Sequence, residues 1–167
     1  MSIGDFVELE ASSTTSRGSR LYNVAANATA INPGEPVVRS LGATTVTRMY
    51  GASTSGNTVP AVGTDYVVGI AQTTSTQTAS AAGTVLVLPL NSSTTFLANP
   101  KDTTSWDTQA EYDALVGKRV LVDLASGAYT VLASDSANNG LIVMPLDISK
   151  YPGKVAVCFR QALSDVQ

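Results

Sequence analysis

The clearest alternation of apolar and polar positions is Arg119-Val120-Leu121-Val122-Asp123-Leu124. In an extended strand Val120, Val122 and Leu124 fall on one face, and Arg119, Leu121 and Asp123 fall on the other. Ala125-Ser126-Gly127 interrupts the run and Ala128-Tyr129-Thr130-Val131-Leu132 resumes it. Two β-rich runs separated by three small residues, the last a glycine, predict a hairpin with a bulged turn. Glycine suits the left-handed position of such a loop because it has no Cβ to clash. The same pattern makes Asp123 a solvent-facing strand acid.

Shorter runs of this kind punctuate the chain. Leu21-Tyr22-Asn23-Val24-Ala25 is a strand candidate, and a Pro33-Gly34 turn delivers Val37 and Val38 into the next one. Residues 44–50, led by Val46 and Met49, form a further β-rich run, and the small, polar residues 51–63 predict a long surface loop. Tyr66-Val67-Val68-Gly69-Ile70-Ala71 is apolar almost throughout, which predicts a strand covered on both faces. Residues 73–80 are nearly all hydroxylated and predict an exposed edge or a turn. Thr84-Val85-Leu86-Val87-Leu88-Pro89-Leu90 is the most hydrophobic strand, stopped by a proline that cannot donate to a central ladder. Residues 91–101 read as a polar loop carrying Phe96 and Leu97. Asn138-Asn139-Gly140 and Tyr151-Pro152-Gly153 mark turns ahead of two last apolar runs, 141–146 and 154–159.

One stretch has helical character. Thr108-Gln109-Ala110-Glu111 has capping-box spacing, Tyr112, Leu115 and Val116 share a face, and Gly117 ends the element. About eight turn-punctuated strands and one short helix predict a single-domain all-β fold, a β-barrel or a jelly-roll-like sandwich. Residues 21–167 form its body, and residues 1–20 read as an extended N-terminal arm. Residues 1–10 fit a short edge strand, while residues 11–20 hold no large apolar side chain to offset the entropy of ordering. Strand addition to a neighbour's sheet would satisfy the arm's backbone, with Ile3, Phe6, Val7, Leu9, Arg17 and Arg20 as the candidate contact residues.

Composition sharpens this picture. Charged residues are 14% of the 167-residue chain, against about a quarter in ordinary domains, and serine and threonine fill the gap. A low-charge, hydroxyl-rich surface suits a protein that sits against other subunits. The net charge of −3, with basic residues scattered singly, leaves no footprint for nucleic acid and disfavours an anionic membrane. No apolar run approaches spanning length, and acids occupy the place of a signal peptide's apolar segment, so use without secretion is expected. Cys158, the lone cysteine, sits in an apolar run and reads as a core residue.

The absence of histidine removes the commonest general base, the usual Ser-His-acid triad and the usual zinc ligand. The acids Asp102, Asp107, Glu111 and Asp113 are explained by helix-start electrostatics rather than by calcium. Asp123 and Asp147 are the acids from which a glycosidase pair would be drawn, and Lys101, Lys118, Lys150 and Lys154 read as solvated. Trp106 and the six tyrosines are too dispersed to form a local stacking platform. The expectation is a protein that is not an enzyme and carries no metal or cofactor.

Four stretches, Ile31-Asn32-Pro33-Gly34-Glu35-Pro36-Val37-Val38, Val67-Val68-Gly69-Ile70-Ala71, Ala82-Gly83-Thr84-Val85-Leu86-Val87 and Val116-Gly117-Lys118-Arg119-Val120-Leu121-Val122-Asp123, together resemble the decoration (cement) proteins of tailed-bacteriophage heads. The resemblance implies a body that assembles as a homotrimer on the outer capsid surface of the virion, after synthesis in the host cytoplasm. It also implies an N-terminal arm spread over major capsid protein subunits, which residues 1–20 match in composition and position. It brings no catalytic residues, direct nucleic-acid contact or membrane contact. The other class the sequence allows is a β-sandwich receptor- or carbohydrate-binding module of a tail fibre or adhesin, using residues 51–63 and 91–105 as binding loops.

Overall fold

The hairpin pattern folds as expected, and the rest of one sheet is built onto it. The computed structural model describes residues 7–10, 18–49, 65–90, 94–102, 104–125, 128–133 and 140–159. The strands are β1 (Val7–Glu10), β2 (Arg20–Val24), β3 (Pro36–Ser40), β4 (Thr47–Arg48), β5 (Asp65–Ala71), β6 (Gly83–Pro89), β7 (Thr95–Ala98), β8 (Arg119–Ala125), β9 (Ala128–Leu132), β10 (Leu141–Val143) and β11 (Val155–Phe159), with helix α1 (Gln109–Leu115) between β7 and β8. They form a six-stranded sheet ordered β1-β7-β11-β10-β8-β9 and a five-stranded sheet ordered β2-β6-β5-β3-β4. Strands β8 and β9 pair in unbroken register to Ala125↔Ala128. The connection is therefore one residue tighter than the three-residue loop expected, and Ser126 and Gly127 themselves lie outside the described residues.

The main core joins the sheets. Val38, Met49, Val67 and Ile70 of the five-stranded sheet and its flank pack in one cluster with Phe96, Val120, Val122, Tyr129, Val131, Val155, Val157 and Phe159 of the other. Phe96 and Phe159 meet edge to face at 5.8 Å, a geometry aromatic quadrupoles favour. A second cluster, including Val24, Ile31, Val37, Val46, Val68, Ala71, Val85 and Val87, also draws on the five-stranded sheet. A bulge explains how β5 serves both. Val37 pairs with Gly69 but Val38 with Val67, leaving Val68 as the extra residue. The alternation slips by one, so Val67 and Ile70 enter the main core while Val68 and Ala71 enter the second. That is why this run is apolar without a polar partner in every second place.

Two buried polar contacts clamp the sheets. The Tyr129 hydroxyl on β9 donates to the Met49 carbonyl, 80 positions away in the chain. The Arg48 guanidinium stands 5.9 Å from the centroid of the same ring and 3.4 Å from the Glu35 carboxylate. That carboxylate also accepts from the Asn32 backbone N–H at 2.9 Å, fixing the turn that leads into β3.

Several expectations are corrected. Residues 95–98, read as part of a polar loop, are β7, a strand paired on both sides; its polar flanks masked a four-residue alternation in which Phe96 and Ala98 are buried. The run at 44–50 yields only the two-residue β4, with Val46 making a single bridge to Val24. Eleven strands rather than about eight occur among the described residues, because the shortest of them fall below what alternation reveals. The barrel alternative does not hold. Past β7, Pro100 reaches Val131 on β9, with Lys101 N–H donating to Val131 O and Val131 N–H to Asn99 O, both at 2.8 Å. The six-stranded sheet curls until its far strand touches this tail through one bridge, not a closing ladder, and the fold is an all-β sandwich. Within the expected arm, Val7–Glu10 pairs antiparallel with β7 as an edge strand of the body.

The curl also overturns the reading of Asp123. Its side chain is 1% exposed and forms an ion pair with Lys101, which is therefore not simply solvated. Face alternation was right, but the outer face of the hairpin is covered by the returning 99–102 segment. Replacing Lys101 with methionine leaves a buried carboxylate without this cation. Fully buried pairs broken in this way lose about 3–5 kcal/mol, and the 41% exposure of Lys101 lowers the expected loss to about 2 kcal/mol in urea unfolding. Gly69 gives a second test. A Cβ there would sit 2.2 Å from the Leu88 carbonyl oxygen on β6, and backbone cannot swing aside. Gly69→Ala is expected to cost about 1–3 kcal/mol; an unchanged unfolding midpoint would show that β5 and β6 are less closely apposed.

Candidate functional site

One end of the six-stranded sheet carries a small cleft where three connections converge. Asn99 and Pro100 follow β7, Trp106 and Asp107 precede α1, and Ile148 to Lys154 lead into β11. Pro100, Trp106, Asp107, Ile148, Pro152, Gly153 and Lys154 line a cavity of about 220 Å³.

Local hydrogen bonds set each wall. The Asp102 carboxylate accepts from the Ser105 hydroxyl at 2.6 Å and from the Thr104 hydroxyl and N–H at 2.6 and 2.9 Å. These donors, Ser105 foremost, hold the Asp102 carboxyl below its ordinary range. The capping box forms as expected: Glu111 N–H donates to Thr108 Oγ1 at 3.3 Å and Thr108 N–H to Glu111 Oε2 at 3.2 Å. A hydrogen bond shared with Glu111, reinforced by the charge of Glu111, raises the Asp107 pKa and lowers that of Glu111. Gln109 pins the helix to the opposite wall, donating to Leu146 O at 2.9 Å and accepting from Ile148 N–H at 3.1 Å. The Asp147 carboxylate accepts from Ser149 Oγ and N–H, which keeps its pKa low. The Tyr151-Pro152-Gly153 turn closes with Lys154 N–H donating to Tyr151 O at 3.2 Å and with Gly153 at φ +68°. Lys154 Nζ donates to Asn99 Oδ1 at 2.6 Å, tying the strands on either side of the opening.

The floor is aromatic. Trp106 is 5% exposed and its ring lies 6.0 Å from Tyr112. Its Nε1–H has no acceptor among the described residues. The Tyr112 hydroxyl, by contrast, is fully used: it accepts from Ala156 N–H at 2.9 Å and donates to Met144 O at 2.8 Å. Because Met144 N–H donates directly to Ala156 O at 2.8 Å, the phenol completes the β10–β11 ladder where the strands part. Burial pushes the Tyr112 pKa up to about 12.

The predicted contact residues distribute differently. Ile3, Phe6 and Arg17 lie outside the described residues. Val7 and Leu9 stand on β1, whereas Arg20 opens β2 in the other sheet, so no single strand gathers them. Of the loops assigned to the carbohydrate-binding alternative, residues 51–63 lie outside the described residues and 91–105 contain β7. Asp123 and Asp147 have separate partners, Lys101 and the Ser149–Lys150 turn. No group of three or more Cys, Asp or Glu side chains converges among the described residues. Cys158 is a buried core residue beside Met144 Sδ at 3.4 Å, and burial raises its pKa. Trp106 and Tyr112, judged too dispersed, do touch. The lone tryptophan immediately ahead of a capping box was the available signal. The chain matches no family model, no curated protein and no solved structure.

Tyr112→Phe removes the inserted hydroxyl and leaves Ala156 N–H and Met144 C=O unpaired, an expected loss of about 1–3 kcal/mol. The pH dependence has a definite sign. An unfolded tyrosine ionises near pH 10 while the folded Tyr112 holds its proton to about 12, so the unfolded chain binds fewer protons in that window. The contribution is intact below pH 10 and lost as pH rises toward 12. The stability difference between wild type and Tyr112→Phe should shrink across that interval in paired urea titrations.

Proposed function

We propose that this chain is a structural virion protein that decorates and stabilises a bacteriophage capsid, binding major capsid protein subunits on the outer head surface as a homotrimer. The supporting observation is the place of the N-terminal segment. β1 is the last strand of its sheet, and among the described residues β7 is the one strand it pairs with. An edge of this kind accepts a further strand from a neighbouring chain, adding main-chain hydrogen bonds without any specific pocket. Repetition of that weak contact around a symmetric shell supplies the affinity. Behind it the Tyr129–Met49 and Arg48–Glu35 contacts clamp the sandwich, as a scaffold resisting deformation requires. Among the described residues no helix is long and apolar enough to cross a membrane.

The test is cosedimentation of the purified chain with expanded and precursor heads from a panel of tailed phages. Saturable binding to expanded shells alone is expected, with light scattering giving three times the 17.2 kDa chain mass before binding. Failure to bind any shell lattice ends the proposal.

A further inference from the structure

The outer face of the β8–β9 hairpin brings together an acid, an amine and an idle hydroxyl. The Asp123 carboxylate on β8 is 1% exposed and pairs with the Lys101 ammonium. Asp123 and Thr130 are direct cross-strand partners, which puts their side chains on one face with Cβ atoms about 5 Å apart. The Thr130 hydroxyl is buried and has no hydrogen-bond partner among the described residues. A buried donor left in that state is costly, and it is well placed to serve an oxygen that gains charge beside it.

The backbone holds the amine against the acid. Lys101 N–H donates to Val131 O and Val131 N–H to Asn99 O, both at 2.8 Å. The ring of Pro100 fixes φ between them. Lys154 Nζ holds the Asn99 side chain at 2.6 Å on one side, and Thr104 and Ser105 lock the Asp102 carboxylate on the other. Reactants kept in contact in this way behave as if at concentrations of about 10⁵–10⁸ M. The equilibrium is biased too. Amide hydrolysis is favoured in water because it releases two solvated ions. Here it would return a carboxylate to a site with 1% exposure, where that solvation is withheld. The exposed pair Asp147 and Lys150, 3.5 Å apart, has no such bias and serves as an internal comparison.

We propose that Lys101 and Asp123 condense spontaneously into an intrachain isopeptide bond, with the Thr130 hydroxyl donating to the carboxyl oxygen that gains charge during attack. One ammonium proton passes to the carboxylate along the ion-pair contact. The Nζ lone pair then bonds to Asp123 Cγ, the Cγ–O bond to the new hydroxyl breaks, and that hydroxyl leaves as water with a second proton from Nζ. No atom is oxidised or reduced, and the 41% exposure of the Lys101 side chain gives the water an exit. The product strap joins the segment after β7 to β8 and makes the curl of the six-stranded sheet covalent. The bond belongs to the isolated chain and does not depend on the capsid reading.

Intact mass spectrometry of the purified full-length protein is the test, since condensation removes one water. The wild-type chain should weigh one water less than its sequence demands, and trypsin should spare Lys101 and release a branched peptide joining it to Asp123. Lys101→Met and Asp123→Ala should each restore the full mass, while Asp147→Ala should keep the loss. Thr130→Val should still form the bond, but about 10²-fold more slowly when mass is followed from synthesis onward. A wild-type chain of full mass that trypsin cuts after Lys101 overturns the proposal. So does a missing water that maps to any other residue. Bond formation at the wild-type rate in Thr130→Val overturns the part given to the hydroxyl.

Discussion

The interaction on which this structure turns is a phenol inserted into a β-ladder. A β protein must find a partner for every buried N–H and C=O, and an unmade hydrogen bond costs more than a made one contributes. Between β10 and β11 the direct bond from Ala156 N–H to Met144 O is replaced by the Tyr112 hydroxyl, which accepts from one and donates to the other. That one residue fixes α1 to the sheet, aligns β11 within it and supports the ring of Trp106. The helix is short, and its capping box would be marginal alone; its tyrosine makes it part of the sheet's hydrogen bonding.

The same device recurs with smaller side chains. Beyond Ala71 the chain runs beside β6 without forming a regular strand. Gln72 and Thr76 donate backbone N–H to the Leu86 and Thr84 carbonyls, while Leu86 and Thr84 N–H groups donate to the hydroxyls of Thr73 and Thr76. Ser75 Oγ likewise accepts from Ile31 N–H at 2.8 Å. The hydroxyl-rich residues of this segment are exposed, as expected, apart from the buried Ser75, and they also act as backbone partners. Hydroxyls stand in for carbonyls where the pleat cannot be regular.

How far the sequence discloses the fold follows from which forces are local. The β8–β9 hairpin, the capping box, the Pro33-Gly34 turn (Gly34 at φ +85°) and the doubly covered β5 were legible, because alternation, cap chemistry and φ > 0 act over a few residues. β7 was not, since four residues between polar flanks carry too short a period to distinguish from a loop. Asp123 was misread for a different reason: its orientation is a local property, but what covers it is decided by the curl that returns residues 99–102 over the hairpin. Nor could the cleft be seen, because Pro100, Trp106 and Lys154 meet only through the order β7-β11 and the packing of α1.

That ordering bears on what the N-terminal segment can do. A freely dangling arm gains affinity only by ordering itself at the moment of contact, and that entropy is charged against binding. Strand β1 changes the balance, since Val7–Glu10 is already held in register by β7, and among the described residues its other edge is unpaired. The irregularity between Glu8 and Glu10 interrupts that edge, and interrupted edges discourage indiscriminate sheet-to-sheet association. A strand adding to β1 as proposed would therefore have to match a short, bulged template rather than a long flat one. In the proposed contact, preorganisation would supply the affinity and the bulge the selectivity. Both are properties of how β1 sits in the sheet, and neither requires a reactive side chain.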